Sequence, residues 1–317
     1  MTKLVLTPIT QAMQEGALTR RELKQLMRRS DKPALVRLIL WVCLVAMTGF
    51  GIWLAQGSWL MLPAMFVHGV VLVHHFSLQH ECCHYTAFKT RWLNDVIGNV
   101  CGLVIMLPNR FFRYEHCDHH TFTQLKGKDT ELIELPQTMA GYFYYLSSIP
   151  YWRAKFSELG RHAFGHLSAE EKVFIPREER KLIKLEAQAM AGFYLAIILL
   201  SIVFQSSVVI WYWFLPVVLG EPVMRAIRMT EHVGRPNVSD MKANTRSNLV
   251  SLPMRFLCWN MNYHAEHHYA SSVPFHALPK LNKKLEGYLY TGKGGYVGAH
   301  RDIVSQLLGR SPRCDAN

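Results

Sequence analysis

Charge is missing from two long stretches of this 317-residue chain: residues 38–79 and 187–220 contain no Asp, Glu, Lys or Arg. A bilayer core about 30 Å thick needs about 20 apolar residues for each helical crossing. The first stretch holds two crossings, broken at Gln56-Gly57-Ser58. The second is tight for two, broken at Gln205-Ser206-Ser207, unless its helices run on through Glu221 and Arg225. Other absences narrow the field further. The seven cysteines are odd in number and form no CxxC pair, which argues against a disulfide framework. The first 34 residues lack the apolar run of a cleavable signal peptide. There is no GxGxxG fingerprint for a flavin or nicotinamide and no HPGG haem segment. No separate basic domain exists either, although 35 Lys+Arg against 23 Asp+Glu leave a net charge of +12. That charge flanks the apolar stretches, so it reads as topology and attraction to anionic lipid heads, with no nucleic acid as partner.

The basic residues of the amino-terminal segment, the middle loop and the carboxy-terminal third all fall on one side under the positive-inside rule. Both termini are therefore expected in the cytoplasm, with the two short uncharged breaks on the far side. A third apolar run, residues 93–107, contains Asp95 and is short for a crossing, so an interfacial or re-entrant segment is expected there. The fold class is an all-α integral membrane protein: four transmembrane helices in two hairpins with a cytoplasmic, histidine-rich helical cap. Residues 1–34 form a cytoplasmic amphipathic segment, with residues 17–27 as a lipid-lying surface helix, and residues 35–317 form the membrane domain.

What the chain does have is histidine in a repeated pattern. Three clusters stand out: His80-Glu81-Cys82-Cys83-His84, His116-Cys117-Asp118-His119-His120 and His264-Ala265-Glu266-His267-His268. They hold eight of the 16 histidines. Residues three and four apart share a helix face, so each cluster aims its imidazoles at one place. Neutral imidazole ligates iron, copper, nickel and zinc. His232 is a ninth candidate, near the end of the cytoplasmic extension of the fourth helix, before the turn signal Gly234-Arg235-Pro236. Nine imidazoles exceed one tetrahedral zinc site and suit two metals with open positions. Cysteine ligation at Cys82 or Cys83 stays open. Glu81, Asp118 and Glu266 point away from the metals at helical spacing and are candidates to accept the second N–H of a ligand imidazole, or are simply solvated. His68, His74 and His75 lie on the second crossing as path lining or packing. His162, His166, His276 and His300 read as structural or surface residues.

These boxes, in this order and with this hydropathy between them, resemble the integral-membrane fatty acid desaturase/hydroxylase superfamily over roughly residues 35–290. The signature HxxxH, HxxHH, HxxHH matches at His80/His84, His116/His119/His120 and His264/His267/His268. The run from Asn262 through His268, followed by Ser272-Val273-Pro274, resembles the acyl-lipid and sphingolipid branch. The resemblance implies a catalytic non-haem di-iron centre that activates O2 to take hydrogen from an unactivated C–H bond of a lipid or fatty acyl chain. It also implies an additional ligand histidine, matched by His232. Some members carry an asparagine four residues earlier; this chain has Arg228, so that feature does not transfer. Two electrons per turnover must come from a separate donor, such as a ferredoxin, rubredoxin or cytochrome b5-like protein. The basic residues Lys126, Lys128, Arg177, Arg180, Lys181 and Lys184 offer an acidic donor one surface. A bacterial inner membrane is the expected location. Hydroxylation or ketolation of a lipid, alkane, carotenoid or sphingoid base shares the same boxes and remains open. A metal transporter or sensor would instead line the membrane interior with ionisable residues, whereas the clusters lie at or outside its surface.

Overall fold

The structure, a computed structural model, describes residues 8–311. Those residues are mostly helical, joined by turns and irregular loops, with two short strands, β1 (Ser247–Asn248) and β2 (Thr291–Gly292), paired in parallel. In chain order the helices before β1 begin with α1 (Pro8–Gln14), α2 (Arg20–Leu26), α3 (Asp31–Leu54), α4 (Met61–Val73), α5 (His75–Cys83), α6 (Arg91–Ile105) and α7 (Asn109–Phe122). The middle of the chain adds α8 (Met139–Leu146), α9 (Ile149–Ala163), α10 (Glu171–Phe174) and α11 (Arg180–Val203). A π-helical turn, Ile210–Phe214, leads into α12 (Leu215–His232), and α13 (Met241–Asn244) follows. The last helices are α14 (Leu252–Leu257), α15 (His264–Tyr269), α16 (Leu278–Lys284) and α17 (Gly295–Leu307).

Three helices are long and apolar enough to cross a membrane: α3, the joined α4–α5 (Met61–Cys83) and α11, with a fourth if the bent pair α6–α7 counts as one. Their outward faces explain why. Ile39, Val42 and Met47 on α3 and Leu199, Ile202 and Val203 on α11 are exposed, a contiguous apolar surface that water does not tolerate. The stretch that starts at Ile210 falls outside that set, because its second half carries Glu221, Arg225, Arg228 and Glu231.

Small and polar residues add to the apolar contacts inside the bundle, where Leu72 and Val73 of α4 pack with Val217 and Met224 of α12. A Cβ on Gly69 of α4 would collide with the Pro216 carbonyl, and one on Gly220 would collide with the backbone of Gly69, so α4 and α12 touch backbone to backbone. His68 bonds Thr48 Oγ1 of α3 at 2.7 Å and the Tyr212 carbonyl at 3.1 Å, tying three segments together. The ladder breaks at His74, between α4 and α5. There the Nδ1 atoms of His74 and His75 take up the carbonyls of Val70 (2.6 Å) and Leu72 (2.7 Å). His75 also meets Trp41 Nε1 at 3.4 Å. These histidines therefore pack and pin the helices.

The two short connections lie at one end of the molecule, where Gln56 donates to Tyr212 Oη at 3.0 Å. The histidine clusters lie at the other. The segment 91–122 leaves and returns to that second end. α6 runs back along α5, and the chain turns by 96° at residues 106–108, where Met106 takes a left-handed conformation (φ 58°) before Pro108. At the return, Arg113 of α7 pairs with Asp95 of α6 at 2.8 Å, and the Arg91 and Arg113 guanidiniums cover the two faces of Tyr85. A 96° bend of this kind is the geometry of a broken span or of a re-entrant segment, the second of which is the expected one.

The amino-terminal segment departs from its expected role. Thr19 and Glu22 form a capping box at the start of α2. The apolar side, expected to lie on lipid, packs on protein instead: Ala12 and Leu18 are buried with Leu278, Leu281 and Leu285 of the cap, and Leu23 and Leu26 pack beside them. Tyr269 Oη accepts the Ala12 N–H at 3.1 Å, and Lys284 pairs with Glu22. α1, α2 and the turn between them thus pack on protein, and α3 starts at Asp31.

Candidate metal centre

Four separate elements deliver the histidines. His80 lies on the last turn of α5 and His84 caps it; His116, His119 and His120 lie on the last turns of α7. His264, His267 and His268 form half of α15, and His232 is the last residue of α12, which stops before Gly234 (φ 75°). A tight turn with Trp259 and Asn260 in left-handed conformations reverses the chain just before α15.

These nine imidazoles converge into two groups. His80, His84, His116, His120 and His267 form one, and His119, His232, His264 and His268 form the other; within each, one ring nitrogen per residue lies within 4.8 Å of all the rest. The groups adjoin, since the rings of His120 and His268 stack at 4.1 Å with 10° between planes. Both groups contain histidine alone, so buried Cys82 and Cys83 fall outside them, and Cys117 is exposed.

Within each group, Nε2 atoms face each other at 3.0–3.1 Å: His116–His120 and His120–His267 in the first, His232–His264 and His264–His268 in the second. Nε2 of His84 and His119, and both nitrogens of His80, are buried without a protein partner. Burial, then the neighbouring imidazoles, holds His116, His120, His264, His267 and His268 well below the ordinary histidine range. These five are neutral at pH 7, the form that ligates. For His119, burial is outweighed by Glu131 and Asp129, which raise its pKa. A ring of unprotonated nitrogens facing inward repels itself, and a cation at each focus resolves the repulsion. The residues fit a pair of metal ions.

The groups behind the rings were only partly legible in sequence. Glu131 meets His116 Nδ1 at 2.7 Å, and Asp129 meets His119 Nδ1 at 2.7 Å; each holds the ring so that its Nε2 lone pair points inward. His268 Nδ1 meets Thr123 Oγ1 at 3.1 Å. Arg228 sits behind this layer, bonded to Glu131 at 2.6 Å and Glu231 at 2.5 Å, and so compensates two buried carboxylates. Of the three acids inside the boxes, Glu81 comes within 3.9 Å of His267 Nδ1, too far for a hydrogen bond, and instead accepts from Thr86 and the Phe275 N–H. Glu266 accepts from Ser247 and Asn282, fixing α15 itself. Asp118 contacts Thr130. The carboxylates that meet imidazoles come from the Asp129-Thr130-Glu131 loop just after α7. Its proximity to the second box was the only sequence signal. Among the remaining histidines, His162 meets Glu171 at 3.1 Å and His300 meets Tyr142 Oη at 2.9 Å; neither they nor His166 and His276 join the groups.

A cavity of about 310 Å³ lies against the centre. Phe76 and Phe112 form part of its wall, and their rings lie 6.1 Å from His80 and 5.2 Å from His116 respectively. Tyr145, Tyr151, Lys155 and Arg225 line it elsewhere.

Comparison with known proteins adds the lineage. The sequence profile described as fatty acid desaturase matches residues 57–299. The sn-1 oleoyl-lipid 12-desaturase of Anabaena variabilis is 24% identical over 259 residues, covering 74% of this chain and 71% of that protein. The enzyme of the same name from Arthrospira platensis is 23% identical over 287 residues, covering 83% of this chain and 81% of its own length. A sn-1 acyl-lipid omega-3 desaturase (ferredoxin) of a Nostoc strain is 26% identical over 136 residues, covering 38% of this chain and 36% of that protein.

Proposed function

The chain belongs to the fatty acid desaturase family, and from that premise we propose that this membrane oxidoreductase desaturates an acyl chain carried on a lipid, at a centre of two iron ions held by the nine histidines. One observation carries the reading: the three boxes and His232 converge as two adjoining all-histidine groups, with carboxylates behind the rings and an aromatic-walled cavity in front. His80, His84, His116, His120 and His267 would hold one ion, and His119, His232, His264 and His268 the other. Bound there, the ions supply activation of O2, which no side chain can do toward an alkane C–H bond. Overall, a CH2–CH2 unit, O2, two electrons and two protons give CH=CH and two waters.

The chain's own residues do the remaining work. Glu131 and Asp129 fix two ligand tautomers, and Arg228 compensates the charges of Glu131 and Glu231. Phe76 and Phe112 present an apolar wall beside the ligands, which positions an acyl chain and excludes water. The topology that serves this chemistry has four crossings, by α3, α4–α5, α11 and the Ile210–His232 stretch. Clusters, cap and both termini are then cytoplasmic, and the two short connections are on the far side. Two features support it: His232 ends at the same site as His84, and the start of the Ile210–His232 stretch lies beside Gln56. The electrons come from a separate carrier protein, a ferredoxin by analogy with the relative whose name includes one.

The test is lipid profiling of cells with and without the gene, together with metal analysis of the purified protein. A loss of 2 Da per acyl chain and close to two irons per chain are the expected results. A gain of 16 Da would identify a hydroxylase on the same centre. A single stoichiometric zinc with no iron would overturn the di-iron assignment.

A further inference from the structure

Two grooves open near the histidine boxes, and they carry opposite charge. The groove beside the second box, about 630 Å³, is lined by Asp118, Asp129, Glu170 and Glu171 against Lys128 and Arg161. The groove beside the third box, about 800 Å³, is lined by Arg235, Lys242, Arg255 and Lys283 against Glu286. Among the described residues no carboxylate pairs with Arg255 or Lys283, and Lys242 reaches Glu15 only at 3.5 Å. Aromatic rings lie under the cations: Arg235 stands 3.5 Å above Tyr290, and Arg255 is 5.5 Å from Tyr263.

The floor of this basic groove is attached to the metal centre. Tyr263 lines it and is joined by one peptide bond to His264. Asn282 lines it too and donates at 2.7 Å to Glu266, the residue between His264 and His267. Charge and route therefore agree at this groove and disagree at the other, whose carboxylates would repel an acidic partner.

We propose that the basic groove between α13, α14 and α16 is the docking site of an acidic protein that carries one electron at a time, and that electrons enter the centre through Tyr263 and the third box. This rests on the desaturase reading, which requires an external two-electron supply. It also moves the docking surface away from the Lys126–Lys128 loop, which borders the acidic groove.

The experiment uses the full chain in nanodiscs of zwitterionic lipid, with a [2Fe–2S] ferredoxin of net negative charge as the probe. The variants are Lys242→Glu/Lys283→Glu and, as a comparison, Lys126→Glu/Lys128→Glu. The groove variant should raise the KM for ferredoxin about tenfold with kcat little changed, and lower its salt dependence. Turnover driven by dithionite should stay at the wild-type level. Binding of ferredoxin to the metal-free protein should weaken by the same factor, and a Glu→Lys exchange on the ferredoxin surface should restore it. The proposal is overturned if only the Lys126→Glu/Lys128→Glu protein loses affinity, or if the groove variant loses dithionite-driven turnover equally, the mark of a structural defect. Unchanged ferredoxin affinity combined with weaker binding to vesicles containing phosphatidylglycerol would assign the groove to anionic lipid instead. Wild-type protein that turns over with no reductant, yet binds ferredoxin at the groove, would count against the desaturase reading alone.

Discussion

Asp129 and Glu131 lie in an irregular loop 10 and 15 residues from the rings they orient. Their effect is exerted through the imidazoles. With the carboxylate in place, Nδ1 keeps its proton and Nε2 stays a lone pair aimed at the metal. Asp129→Asn and Glu131→Gln should therefore lower iron affinity by about 10–100-fold each, measured by competition with a chelator, while Asp118→Asn, whose side chain meets Thr130, should match wild type. A stronger test falls on His232. It completes the four-histidine group, so His232→Ala should lose iron and turnover as fully as His264→Ala, whereas His276→Ala, outside both groups, should keep its iron. Full iron occupancy in His232→Ala would reduce the ligand set to eight. The converging histidines were legible in sequence because helical spacing alone puts residues three and four apart on one face. The carboxylates behind them were not, because the loop that supplies them has no periodicity, and the acids that do sit between the histidines face elsewhere by the same helical geometry.

At the scale of elements, absence of charge announced the long helices, and it did so for a physical reason: an uncompensated charge in hydrocarbon is costly. The same criterion weakens for the Ile210–His232 stretch, whose second half carries four charged residues in compensated pairs, such as Glu221 with Arg225 at 2.7 Å. Hydropathy reads each residue singly and misses the pairing. It also misread residues 17–27, whose apolar side met a protein surface assembled from α15 and α16, more than 230 residues away. What holds α12 in register is the Gly69–Gly220 contact. A larger side chain at Gly220 has to push two backbones apart, so Gly220→Leu should cost roughly 1–3 kcal/mol and displace His232, which is on the same helix. Gly192→Leu on α11, where a Cβ meets nothing, should be neutral. Thermal unfolding in detergent, read alongside iron content, separates the two: a Gly220→Leu protein with wild-type stability and full iron would mean that the close approach is not maintained in the membrane.

Across the whole molecule, function depends on polarity between two ends. Four elements from distant parts of the sequence must finish on one side for nine imidazoles to meet, and that requirement fixes the path of every helix between them. α3 leaves the histidine end and α4–α5 returns to it with the first box. In the proposed topology the α6–α7 bend brings the second box back without a net crossing. The pair α11 and Ile210–His232 then repeats the first excursion and delivers the ninth histidine. An odd number of crossings anywhere between residues 84 and 232 would separate ligands by the thickness of a bilayer. The bend at Met106 is therefore the point on which the single-site arrangement turns, since α6 and α7 straightened into one helix would be long enough to cross. In a background with Cys43, Cys117 and Cys314 replaced by serine, Ser58→Cys and Ser207→Cys should react with a membrane-impermeant maleimide in sealed cells. Lys126→Cys, just beyond the second box, should react only after the membrane is opened. Labelling of Lys126→Cys from outside would place the second box opposite the first, and the two histidine groups could then not exist as one centre in the membrane.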